Sequence, residues 1–211
     1  EEDLVSRYNL LQTFLKESKQ FGQQRQESEK NAVEIGLDNL SRNAGYEDSI
    51  RFSWAMEAKA TQQIMEKSTL VLDDTTIKLV IDEQGKAELE VTKGDKTLKS
   101  IPDKYKKNKE VEALKDSKTY LTKQYSRTRL SLEQAMLSQT LFTAAELGKI
   151  LEHPVVKAML SKLVLFNPET QASGFWQDGK LLSAEGTLTP LKAADKLLIA
   201  HPSHLFYAVQ W

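Results

Sequence analysis

The spacing of apolar residues changes twice along this chain, and those two changes constrain its fold more than any other feature. Up to about residue 69, apolar side chains recur every three or four positions, as they do on one face of an α-helix. From Leu70 they alternate with polar residues, which is typical of strands with one buried face. The helical spacing returns near Asp103. Separate blocks of helix and strand predict an α+β fold.

Local signals divide the first block into three helices. Gly22 interrupts the first amphipathic run, and Gly45 follows the second, where a left-handed residue commonly ends a helix. Asp48 and Ser49 are both suited to cap the start of the third helix. We therefore expect an N-terminal helical region.

Residues 70–99 predict a small antiparallel β-meander. One set of its apolar residues is expected to be buried: Ile77, Leu79, Ile81, Leu89 and Val91. Lys78, Glu88 and Glu90 fall on the opposite face. Because a small sheet with one solvated face needs cover on the other, we expect a helix to pack against it.

Residues 103–139 contain neither glycine nor proline, and their spacing predicts one long helix of about 50 Å at 1.5 Å per residue. Lys118 and Thr128 interrupt its apolar seam, which favours packing inside the domain over a coiled-coil dimer. We expect four residues of the seam to pack against the N-terminal helices: Leu114, Leu121, Tyr125 and Leu132.

The remaining residues predict a C-terminal segment of short helices and strands. Thr143 and Glu146 fit a capping box, and Pro154 fits the first position of another helix. Asp178-Gly179 between apolar pairs predicts a two-residue hairpin. We expect an α+β fold in which N-terminal helices and one long helix pack with the meander, followed by a hairpin-containing α/β segment.

The order of these blocks suggests two domains, 1–142 and 143–211. The first would be helical, with the meander and the long helix inserted in it. The chain starts at Glu1 without a methionine or signal peptide, and it stops at Trp211 inside an apolar run. We therefore expect a piece of a longer protein, truncated at Trp211.

Composition excludes several classes of protein. The chain has no cysteine, which excludes a disulfide scaffold, a thiolate zinc site and a cysteine nucleophile. Charged residues make up 28% of the sequence, and no apolar run approaches the ~18 residues of a membrane span. We expect a cytoplasmic protein with no membrane partner.

Charge is unevenly distributed along the chain. Residues 1–92 carry a net charge of −7, residues 93–129 a net charge of +7, and the remainder −1. On the long helix, Lys109, Lys123 and Arg127 share a stripe that could follow the phosphates of a nucleic acid. A solvated lysine face, or one paired with the acidic first third, is the alternative that we favour.

Further polar residues are candidates for buried sites. Arg25 and Glu29 are spaced as an ion pair, and Glu57 lies among apolar residues of a predicted helix. His153 and His201 each precede a proline, and His153 is suited to cap or pack rather than to act as a base. His201 and His204 lack enough neighbouring ligands for zinc, so we expect no metal and no cofactor.

Several short stretches, in this order and spacing, resemble a bacterial family of unknown function found in proteins called molybdate metabolism regulators. The stretches are 22–29 (GQQRQESE), 39–46 (NLSRNAGY), 52–57 (FSWAME), 98–102 (LKSIP), 129–136 (RLSLEQAM), 153–154 (HP), 162–164 (KLV) and 200–202 (AHP). The resemblance implies a large C-terminal region of a bacterial multidomain protein, sometimes joined to a tryptophan-glycine-arginine type module. It implies no catalytic or binding residues.

These observations predict a noncatalytic regulatory or interaction module of a larger bacterial cytoplasmic protein. Its partners would be other domains of the same chain or a separate protein. The first alternative is weak nucleic-acid binding through residues 93–129. The second is an enzyme whose site is completed outside this chain, although no glycine-rich phosphate loop or nucleophile elbow is present.

Overall fold

The computed structural model describes residues 2–201, which form six α-helices and two antiparallel sheets, so the predicted α+β class is confirmed. Contacts between residues divide the chain into two compact units, Glu1–Gln63 and Ile64–Trp211. The domain boundary at 142/143 that the sequence suggests stays a prediction, and one strand, Leu141–Thr143, spans that position. The sequence-predicted apolar run at 205–211 lies outside the described residues.

The first unit is helical. It contains α1 (Glu2–Glu17), a 3₁₀ turn (Ser18–Gln20), α2 (Gln23–Asn43) and most of α3 (Ser49–Glu66). Gly22 is the N-cap of α2, and Gly45 follows this helix with φ of +80°. The Asp48 carboxylate accepts the backbone N–H of Arg51 at 2.7 Å and so caps α3. These helix ends agree with the sequence prediction.

Aromatic side chains form the centre of this unit. Tyr8, Phe52 and Met56 are fully buried. The rings of Tyr8 and Tyr46 meet Phe52 edge-on, with centroids 6.1 and 5.4 Å away. Edge-on pairs of this kind contribute beyond the apolar area that they bury, which fixes α3 against the start of the chain.

The second unit begins with the meander. Its strands are β1 (Thr69–Leu72), β2 (Thr75–Ile81), β3 (Ala87–Lys93) and β4 (Lys96–Leu98), in that spatial order. Leu79 pairs with Leu89, and Ile77 pairs with Val91. Ile77, Leu79 and Val91 are buried, whereas Leu89 and Ile81 are half-buried. Lys78, Glu88 and Glu90 are exposed, so the predicted register is confirmed.

The long helix α4 (Lys109–Leu137) starts six residues later than the sequence predicted. Residues Asp103–Tyr105 form a separate 3₁₀ turn. The Tyr105 hydroxyl lies 2.6 Å from the Asp73 carboxylate at the β1–β2 turn, a contact that no local pattern indicates. The Asn108 side chain then accepts the backbone N–H of Glu110 at 2.8 Å and caps α4.

The buried face of α4 has two parts. Its first half covers the meander, where Val111, Leu114 and Leu121 join the cluster that contains Ile77 and Leu79. Its second half packs against α6 (Pro154–Leu160) and β10 (Lys196–Ile199). Leu132 and Thr128 are buried there. Tyr125 is half-buried, and packing on the N-terminal helices stays a prediction.

The C-terminal strands form a six-stranded sheet in the order β5, β10, β6, β7, β8, β9. Besides β10, described above, its strands are β5 (Leu141–Thr143), β6 (Leu165–Phe166), β7 (Ser173–Gln177), β8 (Lys180–Leu182) and β9 (Leu188–Pro190). The predicted Asp178-Gly179 hairpin is present, with φ of 46° and 77°. The sequence did not predict β5 or β9, because three residues are too few to show an alternation.

Two short helices cross this region, α5 (Ala144–Ile150) and α6. Thr143 and Glu146 form the predicted capping box, and Pro154 is the first residue of α6. Gly85, in the β2–β3 turn, has φ of +82°, and a Cβ there would lie 3.0 Å from Cβ of Ala158. The turn therefore needs glycine both for its backbone conformation and for its close contact with α6.

Within the described residues, none of the helices combines the length and the apolar character that crossing a bilayer requires.

Candidate functional site

A buried polar contact in the second unit joins α4 to the start of α6. His153 is the N-cap of α6, and its Nδ1 accepts the backbone N–H of Val155 at 3.3 Å. Its Nε2 lies 2.7 Å from the side-chain amide of Gln124. His153 is 4% exposed and Gln124 is fully buried. The predicted capping role of His153 is present, and the ring also ties two helices together.

Burial determines the protonation of this histidine. Removal from water disfavours the charged ring and lowers the pKa of His153 to about 4. The ring is therefore neutral at pH 7. A general base with so low a pKa is weak, since efficient proton transfer needs a pKa near the working pH.

The sequence indicated neither Gln124 nor Thr128 as part of a buried polar group. Both are fully buried on α4, one turn apart, and Thr128 Oγ1 has no hydrogen-bond partner among the described residues. Their spacing from Leu121 places them at the seam, which was the available signal. A polar residue at a seam position is compatible both with an exposed helix and with a buried hydrogen bond. The position alone therefore did not predict that Gln124 and Thr128 are buried.

Glu57 has a similarly specific contact in the first unit. It is 2% exposed, and its Oε1 accepts the Tyr8 hydroxyl proton at 2.6 Å. A short hydrogen bond to a carboxylate offsets part of the cost of burying the charge. The predicted burial of Glu57 is confirmed, and the contact ties α3 to α1.

The prediction of a buried Arg25 is wrong. Its side chain is 59% exposed, whereas that of its ion-pair partner Glu29 is 12% exposed, and Nε and Oε1 are 2.7 Å apart. The guanidinium lies 3.4 Å from the ring centroid of Phe21. Arg25 stacks on an aromatic ring at the surface, because the first turn of α2 faces water.

A surface depression of about 530 Å³ lies over this same turn. Its lining is polar and open to solvent: Gly22, Gln23, Gln24, Arg25 and Ser28. These residues belong to the 22–29 stretch that resembles the bacterial family. The lining includes a cation and amide groups but no nucleophile with an adjacent base.

The predicted basic stripe on α4 is only partly accessible. Lys109 and Lys123 are exposed, and Arg127 is half-buried with its guanidinium carbon 5.5 Å from the ring centroid of Tyr120. Lys123 and Arg127 both engage other groups of the protein. The stripe therefore does not present three free cations to a phosphate backbone.

Acidic residues neutralise other cations of the same basic segment. Nζ of Lys104 lies 3.1 Å from the Asp73 carboxylate, and Nζ of Lys93 lies 3.3 Å from that of Asp74. The hydrogen bond from Tyr105, followed by that from Lys104, holds the pKa of Asp73 below its usual value. Charge from residues 1–92 therefore offsets part of the basic block, while such pairing of Lys109, Lys123 and Arg127 stays a prediction.

His201 follows β10 and is half-buried, and it engages another group of the protein. His204, its predicted neighbour, lies outside the described residues. Within residues 2–201, no three histidine, aspartate or glutamate side chains come together as metal ligands.

Large apolar side chains on the outer face of α4 are exposed. Leu130 is 59% exposed and Leu137 is 66% exposed. Their seven-residue spacing puts them on one side of the helix, two turns apart, opposite the buried seam. The sequence analysis did not single them out, since an isolated surface leucine is ordinary.

Comparison with known families assigns the C-terminal part of the chain. Residues 95–211 match the domain of unknown function DUF4132, and they make up more than half of the chain. The chain belongs to the DUF4132 family. The matched residues include β4, α4, the His153 contact and the six-stranded sheet.

The N-terminal part is similar to a second family. Residues 1–56 match a family of unknown function, DUF5724, and they cover α1, α2 and the first part of α3. This match falls within the first structural unit, and the DUF4132 match falls within the second. No curated protein and no solved structure gives a significant match to the chain.

Proposed function

We propose that this DUF4132 chain is a noncatalytic regulatory or interaction module of a larger bacterial cytoplasmic multidomain protein. The observation that carries the proposal is the exposed pair Leu130 and Leu137 on the outer face of α4. We call these two residues the α4 leucine pair.

The α4 leucine pair has the geometry of a helix-binding surface. Two apolar side chains seven residues apart give a straight stripe about 10.5 Å long, which matches the spacing that amphipathic partner helices use. Burial of one leucine contributes about 1.5 to 3 kcal/mol. Covering these leucines with a protein partner would therefore stabilise the complex, whereas the same side chains contribute little to folding while they are exposed to water.

The buried side chains that could take part in acid–base chemistry make structural hydrogen bonds instead. Glu57 binds Tyr8, and His153 caps α6 and contacts Gln124. This use of the buried carboxylate and imidazole supports an interaction module over an enzyme.

A photo-crosslinking amino acid at position 137 tests the proposal in the protein's own cells. We expect one discrete cross-linked protein species, because a specific interface holds one partner close to this side chain. The same amino acid at position 134 is the control, since Gln134 is exposed nearby on α4 but is polar. Leu130→Glu should abolish the cross-link at position 137 while leaving the thermal unfolding midpoint unchanged. Equal cross-linking at both positions would remove the support for the proposal.

Nucleic-acid binding through the basic segment 93–129 is the second candidate, and exposed lysines of this segment favour it. Lys96, Lys99, Lys107 and Lys109 are exposed. Their field is weakened by nearby acids such as Asp95 and Glu110. We expect non-specific affinity no tighter than about 10⁻⁴ M at physiological salt. A sub-micromolar affinity that Lys107→Glu with Lys109→Glu removes would make nucleic acid the preferred partner.

The resemblance at residues 22–29, 39–46 and 129–136 supports placing the chain among molybdate metabolism regulator-like proteins. The proposal does not require that the chain itself binds molybdate. Calorimetric titration of the chain with sodium molybdate measures whether it does.

A further inference from the structure

His153 and Gln124 form a contact whose hydrogen-bond roles can be assigned from geometry. Nδ1 accepts the backbone N–H of Val155, so the neutral ring carries its proton on Nε2. Nε2 therefore donates. The Gln124 atom 2.7 Å from it is placed as the amide nitrogen, which cannot accept a proton, so we assign the reverse orientation of this amide, in which its oxygen accepts from Nε2–H. Both nitrogens of the buried ring have a partner only in this one protonation state.

We propose that His153 is an acid-sensitive latch: protonation of Nδ1 releases α6 from α4, together with the β2–β3 turn that packs on α6. The proton comes from solvent and converts Nδ1 from an acceptor to a donor. The N–H of Val155 then loses its acceptor, and a positive charge stands at the start of a helix within the protein interior. Burial disfavours the charged ring in the folded state, whereas the released state hydrates it.

The turn is coupled to α6 because it lies directly on that helix. A Cβ at Gly85 would lie 3.2 Å from the carbonyl oxygen of Val155 and 3.0 Å from Cβ of Ala158. Val155 is fully buried. Displacement of the first turn of α6 therefore removes the surface against which the β2–β3 turn packs.

The elements packed around the ring carry several charged groups. They are Lys123 and Arg127 on α4, Lys149 and Glu152 at the end of α5, Lys157 on α6, Asp82, Glu83 and Lys86 in the turn, and Lys196 and His201 at the two ends of β10. Burial alone lowers the pKa of His153, to about 4, so these groups do not offset the charge. The equilibrium constant for release should then rise tenfold per pH unit between about 6.5 and 4, about 300-fold in total.

Hydrogen exchange of the full chain between pH 7 and pH 4.5, corrected for the intrinsic rate at each pH, tests the latch. The opening constant of α6 and of residues 82–86 should rise about 60-fold over this interval. His153→Asn keeps a good N-cap but does not titrate, and it should flatten the dependence. His201→Asn is the matched control and should leave the wild-type dependence intact. The same slope in wild type and in His153→Asn would overturn the proposal.

A titration of the wild type by NMR keeps the test valid if His153→Asn does not fold. The His153 ring signal should remain that of the neutral form down to about pH 5, and the amide signals of α6 should broaden as the ring begins to charge. Titration near pH 6.5 without a response in α6 would show that the ring charges without releasing the helix, and would exclude the latch.

Discussion

The two halves of α4 use different chemistry to bury the same helix. The first half covers the meander with apolar side chains, among them Val111, Leu114 and Leu121. The second half faces α6 and β10, and its buried face includes Gln124 and Thr128. The apolar half gains stability from the apolar surface that it buries, and this contribution depends little on how the packed side chains are oriented. The second half adds the directional contact of Gln124 with His153, which specifies how α6 sits, to buried apolar residues such as Leu132.

The largest expected effect belongs to the apolar half. Leu121 is 1% exposed, and Leu121→Ala should lower the free energy of unfolding by about 2 to 5 kcal/mol, because it leaves a cavity in the core. Urea denaturation measures the change. Leu137→Ala, at a 66% exposed position of the same helix, should change it by less than about 0.5 kcal/mol. Equal effects at both positions would contradict the division of α4 into faces.

The second effect is the pH dependence of the second half of α4. The unfolded histidine has the ordinary pKa of 6.5, and the folded His153 has a pKa of about 4. Between these values the unfolded chain binds the extra proton, so stability falls as the pH falls, by up to about 3 kcal/mol. Urea denaturation at pH 7 and pH 4.5 should show this loss in wild type and a smaller loss in His153→Asn. The same loss of stability in wild type and in His153→Asn would show that the His153 side chain is exposed to solvent.

Loss of the α4–α6 hydrogen bond gives the third effect. Gln124→Leu preserves most of the side-chain volume but leaves Nε2 of His153 without its partner, so stability at pH 7 should fall by about 1 to 3 kcal/mol. Thermal and urea unfolding both measure it. Gln134→Leu, at an exposed position on α4, is the matched control. A neutral result at position 124 would mean that the amide contributes packing alone.

The smallest effect should be a gain. Thr128 Oγ1 is buried without a hydrogen-bond partner, so Thr128→Val replaces a desolvated hydroxyl with a methyl group of similar size. We expect stability to increase by about 1 kcal/mol. Thr122→Val is the control, since that hydroxyl is exposed and donates to the carbonyl of Lys118. Destabilisation at position 128 would show that the hydroxyl has a role in the folded protein.

Local features of this protein were predictable wherever neighbouring residues decide the backbone. Gly45 ends α2, Thr143 and Glu146 cap α5, and Asp178-Gly179 forms the hairpin. Each signal acts within a few residues, so the rest of the chain does not override it. The register of the meander follows from the same reasoning, since alternation at Ile77 and Leu79 permits one buried face.

The candidate site was less predictable, because its members are distant in sequence. His153 was expected to cap or pack, but its partner Gln124 is 29 residues away on another helix. Arg25 was expected to be buried on account of its spacing from Glu29, which an exposed helix satisfies equally well. Spacing along a helix identifies which two residues can form an ion pair, but it does not predict whether that pair is buried or exposed.

The sequence by itself determined the α+β class, most helix ends and the face of each meander strand, because hydrophobic period and capping chemistry act locally. The tertiary structure decided where α4 begins, since Tyr105 is held at the β1–β2 turn by Asp73. It also decided which polar residues are buried and which leucines remain exposed. Those properties depend on what packs against a surface, and contacts between distant segments supply that information only once the chain has folded.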